Sequence, residues 1–144
     1  MAAGYSGTPL AKKLGVKEGH RLALLGAPGG FDEVLAETLP SAVAVTTRAT
    51  GRADVIVTFH TERAQLVARV PKLLDLLDVD GGLWIAWPKK ASKVPTDITE
   101  DTVREVFLPL DLVDNKVCAI DEVWSGLRVV WRKERRPALR AERG

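Results

Sequence analysis

Four short stretches carry residue types able to do chemistry, and none completes a catalytic set. Gly26-Ala27-Pro28-Gly29-Gly30 follows an apolar run and opens a helix, the layout of a backbone cradle for a ligand. Asp32 and Glu33 stand in the first turn of that helix, where they cancel its positive end and disfavour a phosphate. Gly26, Pro28, Gly29 and Gly30 therefore read as a tight turn, or as the wall of a site for a neutral or cationic ligand. His60 closes the run Asp54–His60 and has the chemistry of a general base. No acid follows it in a partner position, so a solvent-facing histidine ahead of a helix cap is expected. Trp87-Pro88-Lys89-Lys90 sets two cations beside a ring, a pattern that suits an anionic ligand, a phosphate backbone or an acidic partner. The other reading places Trp87 in the core and leaves the lysines in water. Trp124 and Ser125, within Glu122–Gly126, put a large aromatic at a hairpin tip. That is a partner surface if exposed and ordinary packing if folded back.

Other chemistries lack their parts. Ser6, Ser92 and Ser125 have no nucleophile-elbow context, and no lysine follows the glycine loop as in a phosphate-binding loop. Cys118 is the only cysteine and sits mid-strand, where inert packing is expected. With His20 and His60 the only histidines, a zinc site of the usual kind is not expected, and no aspartate cluster suggests magnesium. No catalytic residue is assigned.

Elements must position these stretches, and Leu73–Lys90 organises them: the end of an apolar helix, a Gly81-Gly82 turn, a buried strand Leu83–Trp87, then Pro88 and two lysines. His20–Gly26 and Asp54–His60 are similar buried runs, fitting parallel strands covered on both faces. Ala42–Thr46 is a short strand between them. Only about seven residues, Thr47–Ala53, link it to the next strand, too few for a crossover helix. Thr8 and Pro9 predict a two-turn helix ended by Gly15. Helices follow at Phe31–Leu39, after Thr61 with Pro71 kinking or splitting it, and after Asp97 or Thr99, with Asp97 and Glu100 at capping-box spacing. Val113–Asp121 and Leu127–Lys133 form a closing antiparallel hairpin.

The chain has 144 residues, 46% hydrophobic and 28% charged, values of an ordinary globular protein, with a formal net charge of +2. Arg132–Gly144 holds six Lys/Arg and two Glu, so the tail carries +4 and the rest about −2. The tail beyond Arg135 contains Pro137 and predicts disorder. One domain over residues 1–133 with a basic tail over 134–144 is expected, Met1–Gly7 being loose. No apolar run suits a membrane span and no secretion signal is apparent, so the expected compartment is the cytoplasm.

This order of elements resembles the fold of class I S-adenosylmethionine-dependent methyltransferases. ADVIVTFH looks like the strand bearing their catalytic motif, LLDLLDVDGGLWIAW like the helix, turn and strand that follow, and Val113–Lys133 like their closing hairpin. HRLALLGAPGGFDEVLAETLP is similar to their first strand, glycine loop and helix. At finer grain SGTPLAKKLGVKEG, LLGAPGGF, GGLWIAWPKKAS, ITEDTVREV and DEVWSGLRVV resemble a family of small bacterial proteins classed as a domain of unknown function. The resemblance implies a three-layer, Rossmann-like α/β fold with a mixed sheet of about six strands. The strand order would be second, first, third, fourth, sixth, fifth, with the sixth antiparallel.

Departures from working methyltransferases bear on activity. The loop has Pro28 in place of a close-approach glycine, and Leu24 and Leu25 stand where an acid usually precedes it. Ala42–Arg48 lacks the acid that holds ribose hydroxyls. Thr58-Phe59-His60 replaces the usual Asn/Asp-Pro-Pro-aromatic site. No cofactor is predicted as standard equipment, with S-adenosylmethionine the one the fold would suggest. The expected function is a non-catalytic methyltransferase-like module binding a small ligand or a protein partner. Alternatives are an enzyme using S-adenosylmethionine or a nucleotide through an atypical loop, and an RNA-associated accessory protein using Lys89, Lys90 and the tail.

Overall fold

A computed structural model describes residues 8–144; Met1–Gly7, read above as loose, lies outside the described residues. In chain order the elements are α1 (Leu10–Leu14), β1 (Arg21–Leu25), α2 (Phe31–Ala36), β2 (Ala44–Thr46), β3 (Ala53–Phe59), α3 (Arg63–Leu76), β4 (Leu77–Pro88), α4 (Glu100–Phe107), β5 (Leu112–Ala119), β6 (Trp124–Trp131) and α5 (Arg136–Arg143). The strands form one sheet ordered β2-β1-β3-β4-β6-β5, in agreement with the expected order. β2, β1, β3 and β4 run parallel, and β6 runs antiparallel to both β4 and β5.

Alternation along the strands sorts the core into two layers. Val55, Val57, Phe59, Trp84 and Ala86 face α1 and α2, meeting Leu10, Leu14, Phe31 and Leu35. Ile56, Leu83, Ile85, Trp87, Leu127 and Val129 face the other way, against Leu66 and Leu73 of α3, Val103 and Phe107 of α4, and Leu139 of α5. The β2–β3 link needs no helix because β2 is so short. It pairs only with the first residues of β1, and β3 starts at nearly the same level. Crossing two strand spacings takes about 10 Å, well within the roughly 20 Å that Thr47–Arg52 can reach. Ala49 packs on the core along that path.

Several local expectations are corrected. Gly81 and Gly82 lie inside β4 instead of in a turn, because neighbours come too close for a side chain. A Cβ on Gly81 would stand 2.7 Å from the Asp54 carbonyl, where the β3–β4 register slips, and one on Gly82 would run into the Arg128 guanidinium. α3 is one continuous helix through Pro71, which is exposed, as is Val67, whose carbonyl loses its partner there. Neither Thr61 nor the Asp97–Glu100 pair caps as expected. Asp97 Oδ1 accepts from the Arg63 backbone N–H at 2.6 Å and so serves the start of α3, while Thr99 and Thr102 form the capping box of α4. α1 begins one residue late, with Pro9 at the cap position, and Gly15 ends it with φ of +79° as expected.

The tail is the largest difference. Instead of disorder, Lys133–Arg135 makes a single 3-10 turn and Arg136–Arg143 a helix. Leu139 is buried, and Arg143 donates to the carbonyls of Leu77 (2.7 Å) and Leu74 (3.0 Å) at the end of α3. Pro137 sits in the first turn, where its missing N–H costs nothing. Among the described residues no helix is long and apolar enough to cross a membrane.

Candidate functional site

Parallel strands β1, β3 and β4 end together at the carboxyl edge, where open α/β sheets collect ligands. At this edge Gly26 leaves β1 with φ of +69°, and a Cβ on it would lie 3.2 Å from the Phe59 carbonyl. Gly30, with φ of +85°, turns the chain into α2. Phe31, the first residue of that helix, meets Phe59 edge-on at 4.9 Å, and Phe59 meets Trp124 edge-on at 5.1 Å.

These rings border a cavity of about 340 Å³ lined by Pro28, Gly29, Gly30, Phe31, Asp121 and Trp124, with Leu10, Val34 and Val123 completing the wall. No cation lines it. Asp121 Oδ1 accepts from the backbone N–H groups of Val123 (2.8 Å) and Trp124 (2.7 Å), which fixes the turn and holds the carboxylate at the cavity. Trp124 thus stands inside β6, half-buried and folded back on Phe59, and not at a hairpin tip. The turn lies before it, at residues 120–123.

A second cavity, of about 610 Å³, lies across the start of β6. Trp87, Pro88, Lys89, Lys90, Lys93 and Ser125 line it, together with Val94, Pro95, Thr96, Ile98, Thr99 and Glu100. Trp87 is buried in the core, and Lys90 and Lys93 are exposed. Glu100 is the carboxylate in the wall, and its Oε2 already holds Arg104 Nη1 at 2.5 Å. The structure therefore brings Pro28, Gly29, Gly30 and Trp124 together in one cavity, and Trp87, Lys89, Lys90 and Ser125 in the other.

His60 lines neither cavity and does not face solvent. It is buried, with Nε2 2.6 Å from Thr58 Oγ1 and, among the described residues, no hydrogen-bond partner for Nδ1. Burial lowers its pKa to about 4, partly opposed by Gln65 and reinforced by Arg69 of α3. It is a neutral imidazole packed under α3, because residue 60 follows Thr58 onto the covered face of the sheet. Cys118 is half-buried and burial pushes its thiol up, away from nucleophile chemistry. Among the described residues no group of three or more His, Cys, Asp or Glu is placed to hold a metal ion.

Sequence reasoning missed Asp121 and Phe31 as cavity residues. Asp121 carried a usable signal, since an Asp two and three residues before donated backbone N–H groups is an Asx turn. Phe31 read only as a core position of its helix.

No protein-family model matches the chain, and no curated protein matches it. Solved structures do. A SAM-dependent methyltransferase from Aquifex aeolicus superposes with a TM-score of 0.63 at 15% identity, covering 83% of this chain and 86% of that one. A ribosomal protein L11 methylase from Lactobacillus delbrueckii subsp. bulgaricus gives 0.59 at 12% identity, covering 85% and 75%. An Aeropyrum pernix fibrillarin solved with natively bound S-adenosyl-L-methionine gives 0.58 at 13%, covering 88% and 70%. At these identities the likeness establishes the class I methyltransferase fold and no activity.

The cofactor suggested by that fold meets a poor donor set here. β2 ends at Thr46 and continues into Thr47 and Arg48, with the Arg48 N–H turned back onto Thr46 Oγ1 at 3.1 Å. No carboxylate stands there for ribose hydroxyls. Pro28 offers the loop no N–H, and its carbonyl is taken by the Phe31 N–H at 3.1 Å. At these two points the chain departs from the donor set expected for the nucleoside half of S-adenosylmethionine.

Proposed function

We propose that this chain is a methyltransferase-like binding module, without methyl transfer, that holds a small neutral or cationic ligand in the cavity between Gly29 and Trp124. The observation that carries this reading is the cavity itself: an aromatic wall, one carboxylate, no cation, at the exit of β1. Ring faces attract an onium or amine group, and Asp121 supplies the countercharge. In keeping with the small bacterial family that the sequence resembles, the reading is of a protein working in the cytoplasm.

The test is a ligand-observed NMR screen of small neutral, cationic and anionic fragments, repeated on Trp124→Ala and Asp121→Asn. The reading expects cationic or neutral fragments to bind saturably and to weaken by about tenfold in W124A. Anionic fragments alone, or hits indifferent to both substitutions, overturn it.

The lysine-lined cavity supports a second reading, that a protein partner docks beside Ser125. Three ammonium groups face one carboxylate that is already paired, so an acidic segment is the complementary chemistry. Salt-sensitive capture of an acidic peptide, lost in Lys90→Glu, supports that reading, and salt-insensitive capture contradicts it.

A further inference from the structure

A third cavity lies on the α1 face of the sheet, away from the carboxyl edge. It measures about 310 Å³, and its walls are Lys12, Lys13 and Lys17 around α1, Lys116 of β5, Arg128 of β6 and the indole of Trp84. Among the described residues five cations line it and no carboxylate does. Trp84, Arg128 and Lys116 sit side by side in one cross-strand row, so strand register places them on this face.

Local structure holds the charges together. Lys13 is buried and its ammonium donates to the Ala119 carbonyl at 3.1 Å. Lys116 donates to the Lys13 carbonyl at 3.0 Å and stands 6.0 Å from the Trp84 ring centre. The Trp84 indole N–H in turn donates to the Leu14 carbonyl at 2.9 Å, tying α1 to the sheet. Arg128 is half-buried over Gly82, in space that a side chain there would fill. Among the described residues it has no ion pair or side-chain hydrogen bond, and burial lowers its pKa with no opposing carboxylate. Gathering like charges around a half-buried guanidinium costs the folded state free energy, and an anion in the cavity would offset that cost.

We propose that this cavity binds the phosphate moiety of a small phosphorylated ligand. Arg128 supplies the planar fork for two oxygens, and Lys116 and Lys12 supply point charges around the rest. The recess is the size of a small-molecule pocket. It is unlike a nucleic-acid platform, because its one aromatic, Trp84, is fully buried and cannot stack on bases. Free di-phosphate and the diphosphate of a nucleotide share this chemistry.

Calorimetric and thermal-shift titrations of the full chain with inorganic pyrophosphate, ADP and a single-stranded RNA test the proposal. Pyrophosphate or ADP is expected to bind and raise Tm. Binding weakens by at least about tenfold in Arg128→Met and in Lys116→Gln, and is unchanged in Lys72→Gln, an exposed lysine of α3. Without ligand, R128M is expected to melt no lower than the parent, since it removes an uncompensated half-buried charge. Equal affinity for pyrophosphate and ADP marks free phosphate chemistry; tighter ADP marks a nucleotide. Absence of binding overturns the proposal. So does binding that survives in both variants and vanishes in Lys90→Gln, or RNA binding that outcompetes both small ligands.

Discussion

Docking of the C-terminal helix makes a sharp prediction, because Arg136–Arg143 would be a free chain on composition alone. Leu139 is 4% exposed within the core layer shared with α3 and α4. Leu→Ala at a buried site costs about 2–5 kcal/mol; at the rim of this core, where a terminal helix can settle inward, about 2 kcal/mol is expected. Arg143 closes the carboxyl end of α3 through two N–H donors, on Leu77 and Leu74. A hydrogen bond from a charged donor contributes about 1.5–3 kcal/mol net, and partial exposure puts Arg143→Ala near the lower figure. The two sites share one short helix, so the double variant should lose less than the sum of the singles. At about 3 °C per kcal/mol for a chain of this size, L139A lowers Tm by about 6 °C. Arg143→Lys recovers only part of the loss, because an ammonium lacks the guanidinium fork. Urea unfolding gives the free energies, and hydrogen exchange reads the amides of residues 139–143 directly. Unprotected amides there, with L139A costing under about 0.5 kcal/mol, would refute the docking.

Three further predictions follow from the same packing. His60 is held neutral with its pKa at about 4, below the ordinary 6.5, so the unfolded chain binds more protons between those values. Stability therefore falls as pH drops from about 6.5 to about 4, by up to about 3 kcal/mol; His60→Gln should flatten that slope in urea titrations, and an unchanged slope would count against the buried neutral ring. Gly81→Ala meets the backbone carbonyl of Asp54, whereas Gly126→Ala meets the movable Ile120 side chain at 2.7 Å. Both should destabilise by about 1–3 kcal/mol, with G81A the worse, and the reverse order in denaturant melts would show the β3–β4 contact to be yielding. Thr99→Ala removes the capping box of α4 and should cost about 1 kcal/mol; no loss would mean the cap is idle.

The layered sheet was legible in the sequence because near-continuous apolar runs, His20–Gly26, Asp54–His60 and Leu83–Trp87, mark strands covered on both faces. Their order followed from the resemblance to a known fold. What was not legible depends on partners far along the chain. Arg143 finds carbonyls of residues 74 and 77, and one leucine anchors its helix, so nothing local distinguishes that segment from a solvated basic tail. The Gly81-Gly82 pair reads as a turn until Asp54 and Arg128 are seen to occupy its side-chain space. His60 read as exposed because a polar residue at a strand end usually is, and only the packing of α3 over Thr58 reverses that. At the candidate site the glycine loop and the Trp87–Lys90 segment were identifiable by type. That Trp124 and Asp121 would join the loop across the sheet depended on where β6 begins.

The carboxyl edge keeps the methyltransferase layout, and on the proposed reading it does not accept the sulfonium nucleoside. Calorimetric titration with S-adenosylhomocysteine and S-adenosylmethionine tests it most directly. No saturable heat and no rise in Tm are expected at ligand concentrations about 100 times a micromolar Kd, where a binder would add about 2.7 kcal/mol. Saturable micromolar binding that weakens in W124A would contradict it, and would place the sulfonium nucleoside in the cavity beside Gly29.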